Sequence, residues 1–266
     1  MGFVMASEEM MARSGKRSVS LDVEFVFAAW LTRPEVVRAL LPPPLEPLEI
    51  PLAWSMLANF RETNFSPAYQ EAGLSLGAQH RGARGTYCLS MPVNDGQVLV
   101  AGREIYGMPK KLGQVVFQAN GNRVKGWCER HSHRILQVKL DLDQPPQDAR
   151  MHEINPWKEP HGNALGRSLT LFNFKAFSAP DWSGFDYPPR LVRFSLRAEH
   201  RKVKFCRAEI ELNDSPFDPW TEVEIVETLG AVYTRGQTCM GAGQVVAEVE
   251  PSRFSPYYLS RFDVYE

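Results

Sequence analysis

Asn120-Gly121-Asn122 stands between an apolar run, Val115 to Ala119, and a run that alternates in polarity, Arg123 to Glu129. An Asn-Gly pair tolerates the positive φ angles of a tight hairpin turn, and period-two alternation gives a strand one face for a core and one for water. In the second run Val124, Gly126 and Cys128 oppose Lys125, Trp127 and Glu129. Ile135 to Leu142 alternates again, and Asp95-Gly96 between apolar runs signals a further hairpin. Strands are also predicted over Val19 to Trp30, Pro51 to Phe60, Leu74 to Gln79, Tyr87 to Pro92, Leu191 to Leu196, Val203 to Leu212 and Gln244 to Val249. One helix is expected after Thr32, which can cap it, with Pro34 in its first turn and Pro42-Pro43-Pro44 ending it. Arg61 to Gly73 is polar and aromatic and is expected to be a long loop carrying Glu71. Residues 143–190, with Trp157 and Trp182, read as irregular connection around one strand or helix at Leu169 to Phe177. Thr221 to Ala231 fits either strand or helix, and Pro251 to Tyr258 is a terminal segment. Many short strands and tight turns specify a mainly β chain with minor α, an antiparallel closed or conical barrel with few short helices.

The chain of 266 residues suits one domain, expected over 19–266 behind a flexible tail at 1–18. A net charge of −1 removes the electrostatic case for a nucleic acid or membrane partner. No run reaches the roughly 18 apolar residues of a membrane span. Cys88, Cys128, Cys206 and Cys239 form no CxxC pair, so they are read as free thiols in a reducing compartment, and the protein as cytoplasmic.

One stretch resists a purely structural account. Val98 to Ala101 and Val115 to Phe117 are strand-like, and between them lie Lys110 and Lys111, bracketed by Pro109 and Gly113. Lysines are seldom buried, because the ammonium loses its hydration; one that is buried can give up its proton and become a nucleophile. If Lys110-Lys111-Leu112 is extended, Lys110 shares an inner face with Leu112 while Lys111 points outward to solvent.

Gly102-Arg103-Glu104 followed by Pro109-Lys110-Lys111-Leu112-Gly113 resembles the acetoacetate decarboxylase family. Val37 to Glu46 and Tyr69-Gln70-Glu71-Ala72-Gly73 are similar to two further family segments. The likeness is strong over about residues 24–140. It implies a Schiff-base lyase: Lys110 takes the position of the lysine that forms an imine with a keto-acid substrate, most simply a β-keto acid. Glu71 takes the position of the family's loop glutamate, a candidate for proton transfer. It also implies no metal or organic cofactor, a small keto acid as the partner, and a homo-oligomer. A lysine amine of this kind must be neutral near pH 7, about three units below its reference value, and an apolar pocket can supply such a shift. Arg103 and Glu104, taken as strand neighbours on opposite faces, fit supporting roles better than catalysis. Tyr106 and Met108 are expected at the pocket wall, with Lys111 alongside, and Tyr257 or Tyr258 within reach.

Two positions depart from the family pattern. Val23 stands where an arginine precedes the glutamate of the first strand, and Ser55-Met56 stands where a second glutamate is expected. Arg61, Arg81 and Arg84 are candidate substitutes for binding a carboxylate. The alternatives are an aldolase-dehydratase acting on pyruvate or another keto acid through the same lysine, and a binding barrel without catalysis. Glu129, His131 and His133 share a strand face, a weaker pattern for a metal than for a polar surface. Gly241-Ala242-Gly243 lacks the third glycine of a nucleotide fingerprint.

Overall fold

The hairpin expected at Asn120-Gly121-Asn122 forms, with the turn one residue later than the Asn-Gly pair: Val115 pairs with Cys128, Phe117 with Gly126 and Asn120 with Arg123, leaving Gly121, at a φ of 59°, and Asn122 as the turn. The computed structural model of the chain describes residues 3–4, 6–8, 18–154 and 168–263; Trp157 lies outside them. In order the elements are β1 (Val19–Leu31), α1 (Pro34–Leu40), β2 (Glu46–Pro47), β3 (Leu52–Thr63), β4 (Tyr69–His80), β5 (Ala83–Val93), α2 (Gly96–Tyr106), β6 (Lys110–Leu112), β7 (Gln114–Asn120), β8 (Arg123–Arg130), β9 (His133–Asp141), α3 (Met151–Ile154), β10 (Ser168–Lys175), β11 (Arg190–Leu212), β12 (Glu227–Met240), β13 (Gln244–Glu248) and α4 (Pro251–Tyr258).

Seven strands close a ring in the order β10-β5-β4-β3-β1-β12-β11, and β11 returns to pair with β10. The expected closed β-barrel is therefore present. One pairing of the ring, β5 with β10, is parallel where an all-antiparallel barrel was expected, and so is the pairing of β5 with β6 beside the ring. β9, β8 and β7 continue from β11 as an outer sheet. β11 belongs to both: its first part pairs with β10 and β12, and Arg207 to Leu212 pairs with β9. The two strands expected at Leu191 and Val203 are thus one, bent by a register shift between His200 and Lys202.

The uninterrupted apolar run of β1 follows from its position between two cores. Val23, Phe25, Phe27 and Ala29 belong to the core inside the ring, while Val26, Ala28 and Trp30 belong to the layer beneath the outer sheet. A strand covered on both faces has no polar face to alternate with. β4 shows the same division: Tyr69, Glu71, Gly73 and Ser75 line the interior, and Ala72, Leu74 and Leu76 pack outward. Glu24 is the exception on the outer face of β1. Burial of its carboxylate is offset by bonds from the Tyr233 hydroxyl (2.7 Å), Arg61 Nε (2.7 Å) and Asn59 (3.2 Å).

Several local expectations change. Arg61 to Gly73 is not a long loop: β3 runs to Thr63 and β4 begins at Tyr69. Asp95-Gly96 makes no hairpin. The Asp95 carboxylate accepts the Val98 amide (2.8 Å) and caps α2, so Val98 to Ala101 is helical rather than strand-like. Helical spacing of Val98, Gly102 and Ile105 competes there with the apolar run, and the capping residue decides. Thr32 does not cap α1; Arg33 occupies that position without a capping bond from its side chain. Ser18, placed in the expected tail, accepts the Met240 amide (2.9 Å) and reaches the barrel interior.

Candidate active site

Parallel β5 and β6 need a crossover, and α2 supplies it. The helix ends at Gly107, whose φ of 70° and whose approach to Phe174 exclude a side chain: a Cβ there would stand 2.4 Å from the Phe174 carbonyl oxygen. Met108 and Pro109 then turn the chain into β6, where Lys110 lies opposite Met91 and Lys111 opposite Pro92. Arg103 Nη1 donates to the Lys110 carbonyl (3.2 Å) and to the Arg261 carbonyl (3.2 Å), and its guanidinium stacks on Phe262. It therefore fixes the backbone that carries the lysine.

Lys110 points into the ring. Its ammonium forms an ion pair with Glu71, which reaches across from β4 with β5 between them; the side chains are 4% and 9% exposed. The lysine stem lies across Gly102. A Cβ at that position would meet Lys110 Cε at 2.5 Å and Cδ at 2.6 Å. Around the pair is a cavity of about 110 Å³ to which all seven ring strands and α2 contribute. Phe25, Phe27, Trp54, Met56, Phe60 and Tyr69 form much of one side, and Leu169, Leu171, Phe194 and Leu196 face them. Among the described residues Lys110 and Glu71 are the only charged side chains in its lining. A larger groove of about 620 Å³ beside Gly113, Glu129 and Arg134 is open and polar and holds neither residue.

Other groups nearby stay neutral. Burial pushes the Tyr69 phenol well above its usual range, with the Glu71 and Asp95 charges adding to the effect. Burial also raises the Cys88 thiol to about 12, and its sulfur donates to the Ser90 and Leu74 carbonyls. Lys110 is the amine that faces the cavity.

Lys111 does project to the opposite face, yet it is not solvated. It donates to the Phe217 carbonyl (3.0 Å) and Asp218 (3.3 Å) and pairs with Asp263 (3.2 Å). Arg130 bonds Asp218 (2.7 Å) and Asp263, and His131 pairs with Asp263 (2.8 Å). Leu112, expected inside with Lys110, is 59% exposed, because β6 leaves the ring at that residue. Of the remaining predicted residues, Tyr106 and Met108 line the cavity; Tyr106 donates to the Gly241 carbonyl (3.1 Å). Arg103 and Glu104 sit on a helix, not on opposite faces of a strand, and Glu104 is exposed outside the lining. Tyr257 and Tyr258 do not reach the lining, and Tyr258 packs on Phe185 and Phe262. Neither Arg61, bound to Glu24, nor Arg81 or Arg84 at the β4–β5 turn enters it. His131 turns to Asp263 and Glu129 to Arg134, which separates the histidine pattern.

The sequence reading missed Asp218, Asp263 and Arg130, which no local pattern links to Lys111. The loop expected over Arg61 to Gly73 hides the inward alternation of Tyr69, Glu71, Gly73 and Ser75 on β4.

A family model described as "Acetoacetate decarboxylase (ADC)" matches residues 5–249. A protein named acetoacetate decarboxylase from Burkholderia vietnamiensis is 25% identical over 234 residues, covering 85% of this chain and 87% of its own. The crystal structure of acetoacetate decarboxylase from Legionella pneumophila superposes with a TM-score of 0.75 at 20% identity, covering 88% of each chain. The enduracididine biosynthesis enzyme MppR, complexed with pyruvate, superposes with a TM-score of 0.68 at 17% identity, covering 88% of this chain and 91% of its own. With the barrel, the interior lysine and the family match together, the chain belongs to the acetoacetate decarboxylase family.

Proposed function

We propose that the barrel interior is the active site of a Schiff-base-forming carbon–carbon lyase that decarboxylates a β-keto acid. The observation that carries this reading is the meeting of Lys110 and Glu71 in a cavity with no other charged side chain among the described residues of its wall. The Nζ proton passes to Glu71, and the neutral amine attacks the ketone carbon. Loss of water, with Glu71 returning the proton, gives a protonated imine. The bond between the carboxylate carbon and the α carbon then breaks; its electron pair moves to the iminium, carbon dioxide leaves and a neutral enamine remains. Carboxylate and iminium disappear together, which a low-dielectric cavity favours over holding both. A proton delivered to the α carbon and hydrolysis release the ketone and regenerate Lys110. Lysine activation by desolvation is a mode for which acetoacetate decarboxylase is itself a standing example.

Acetone or acetoacetate with borohydride, read by intact mass and peptide mapping, tests the assignment. One adduct at Lys110 is expected, and none in Lys110→Ala. An adduct at Lys111, or none with any carbonyl compound, overturns it. Aldol condensation with dehydration on a keto acid such as pyruvate is the second reading. One observation favours it: the pyruvate-bound MppR shares the fold. A trapped pyruvate adduct without carbon dioxide release from any β-keto acid would select it.

A further inference from the structure

The cavity's walls say more about the substrate than the lysine does. Tyr69 is the next inward residue from Glu71 on β4, and its ring stacks on Phe60 with centroids 4.3 Å apart. Phe60 meets Phe25 edge-on at 5.5 Å, and Phe25 stacks on Phe27. An aromatic shelf thus begins one position from the catalytic pair. Leu169, Leu171 and Leu196 come from the opposite strands. The space between measures about 110 Å³, where a single water needs roughly 10–15 Å³. A substrate ending in a methyl group leaves most of that wall without partner atoms, and unmet apolar surface forfeits dispersion and burial.

The charges point the same way. Glu71 already matches Lys110, so a substrate carboxylate finds no further cation among the described lining residues. Tight binding of a small keto acid rests on such a cation, because a carboxylate taken from water without a partner is costly. A substrate with a large apolar body can offset that cost by burial.

Resting on the decarboxylase reading above, we infer that the substrate is a β-keto acid of the form R–CO–CH₂–COO⁻ in which R is an aryl-alkyl or medium alkyl group. R packs on the shelf of Tyr69, Phe60 and Phe25. The reaction consumes one proton and releases carbon dioxide and the methyl ketone R–CO–CH₃.

The test compares kcat/KM for acetoacetate, 3-oxohexanoate and 3-oxo-5-phenylpentanoate by carbon dioxide release. Borohydride trapping with acetone and 4-phenylbutan-2-one runs alongside. Each buried methylene is worth about a fourfold gain, so 3-oxohexanoate is expected to exceed acetoacetate at least about tenfold. The phenyl compound is expected to equal or exceed 3-oxohexanoate, and 4-phenylbutan-2-one to trap Lys110 at lower concentration than acetone. Equal or better use of acetoacetate, with the Lys110 adduct still forming, overturns this inference and leaves the lysine assignment standing. No adduct with either ketone and no carbon dioxide from any acid overturns both.

Discussion

The Lys110 ammonium meets one carboxylate inside a wall of aromatic and aliphatic side chains, whereas Lys111, one residue on, meets two carboxylates and a carbonyl. Both are buried, and a β-strand's alternation sends them to opposite sides of the same sheet. On the outer side Asp218 and Asp263 balance Lys111 and Arg130, so each buried charge has a partner and no proton needs to move. On the inner side a single partner leaves a route open: one proton transfer turns the ion pair into a neutral amine and a carboxylic acid. On the proposed mechanism, burial alone is not what sets Lys110 apart from Lys111. What differs is how many partners would have to be abandoned when its charge is lost.

Substitutions can break this contrast. The largest effect is expected from Lys110→Ala, which should abolish both turnover and the borohydride adduct while the protein stays folded, as circular dichroism would verify. Glu71→Gln should lower kcat by roughly 10²–10⁴, the range of a lost general acid–base group, with a far smaller change in Tm. Near-normal turnover would reduce Glu71 to a counter-ion. Asp218→Ala should do the reverse. It strips a partner from both Lys111 and Arg130, so a stability loss of about 3–5 kcal/mol is expected in chemical denaturation, with Lys110 still trappable in the folded fraction. Gly102→Ala separates the two properties within one residue. The helix gains up to about 1 kcal/mol in propensity, yet the new methyl displaces the lysine stem, and kcat/KM should fall by up to about 100-fold.

The smallest effect is in acid. Burial works to raise the Asp263 carboxyl, but bonds from His131 and Arg130 and the charges of Arg130 and Lys111 outweigh it and hold the group down at about 2. An aspartate held low contributes stability above its unfolded value near 3.9 and loses it as pH falls toward about 2. The stability difference between the native protein and Asp263→Asn should therefore be constant above about pH 5 and shrink from pH 4 to pH 2. A difference that persists unchanged at pH 2 would mean that the carboxylate's charge is not what holds the outer cluster.

The barrel was legible because its signals are local. Asn120-Gly121 and the alternation around it fix a hairpin whatever surrounds them, and β1's double apolar content needs only two covering layers. α2 was misread because Asp95-Gly96 serves a hairpin and a helix N-cap equally well, and only the crossover to β6 decides between them. Lys110 and Glu71 were found by resemblance, not by periodicity, and their contact spans 39 positions. The burial of Lys111 was invisible: its partners lie 107 and 152 residues on, and nothing in the neighbouring sequence announces them. Leu112 was misplaced by extending strand alternation one residue past the point where the chain leaves the barrel.

β11 runs unbroken from the ring into the outer sheet, turning at the shift near His200. A strand shared in this way acts as a hinge pin between two leaves. If the outer leaf unzipped from β9, it would bare the ring's Trp30 layer and tug on the same backbone that closes the ring against β10. The chamber around Lys110 and its outer jacket are therefore expected to melt together. Slow-exchanging amides on β9 and β10 should open in one event and not in sequence.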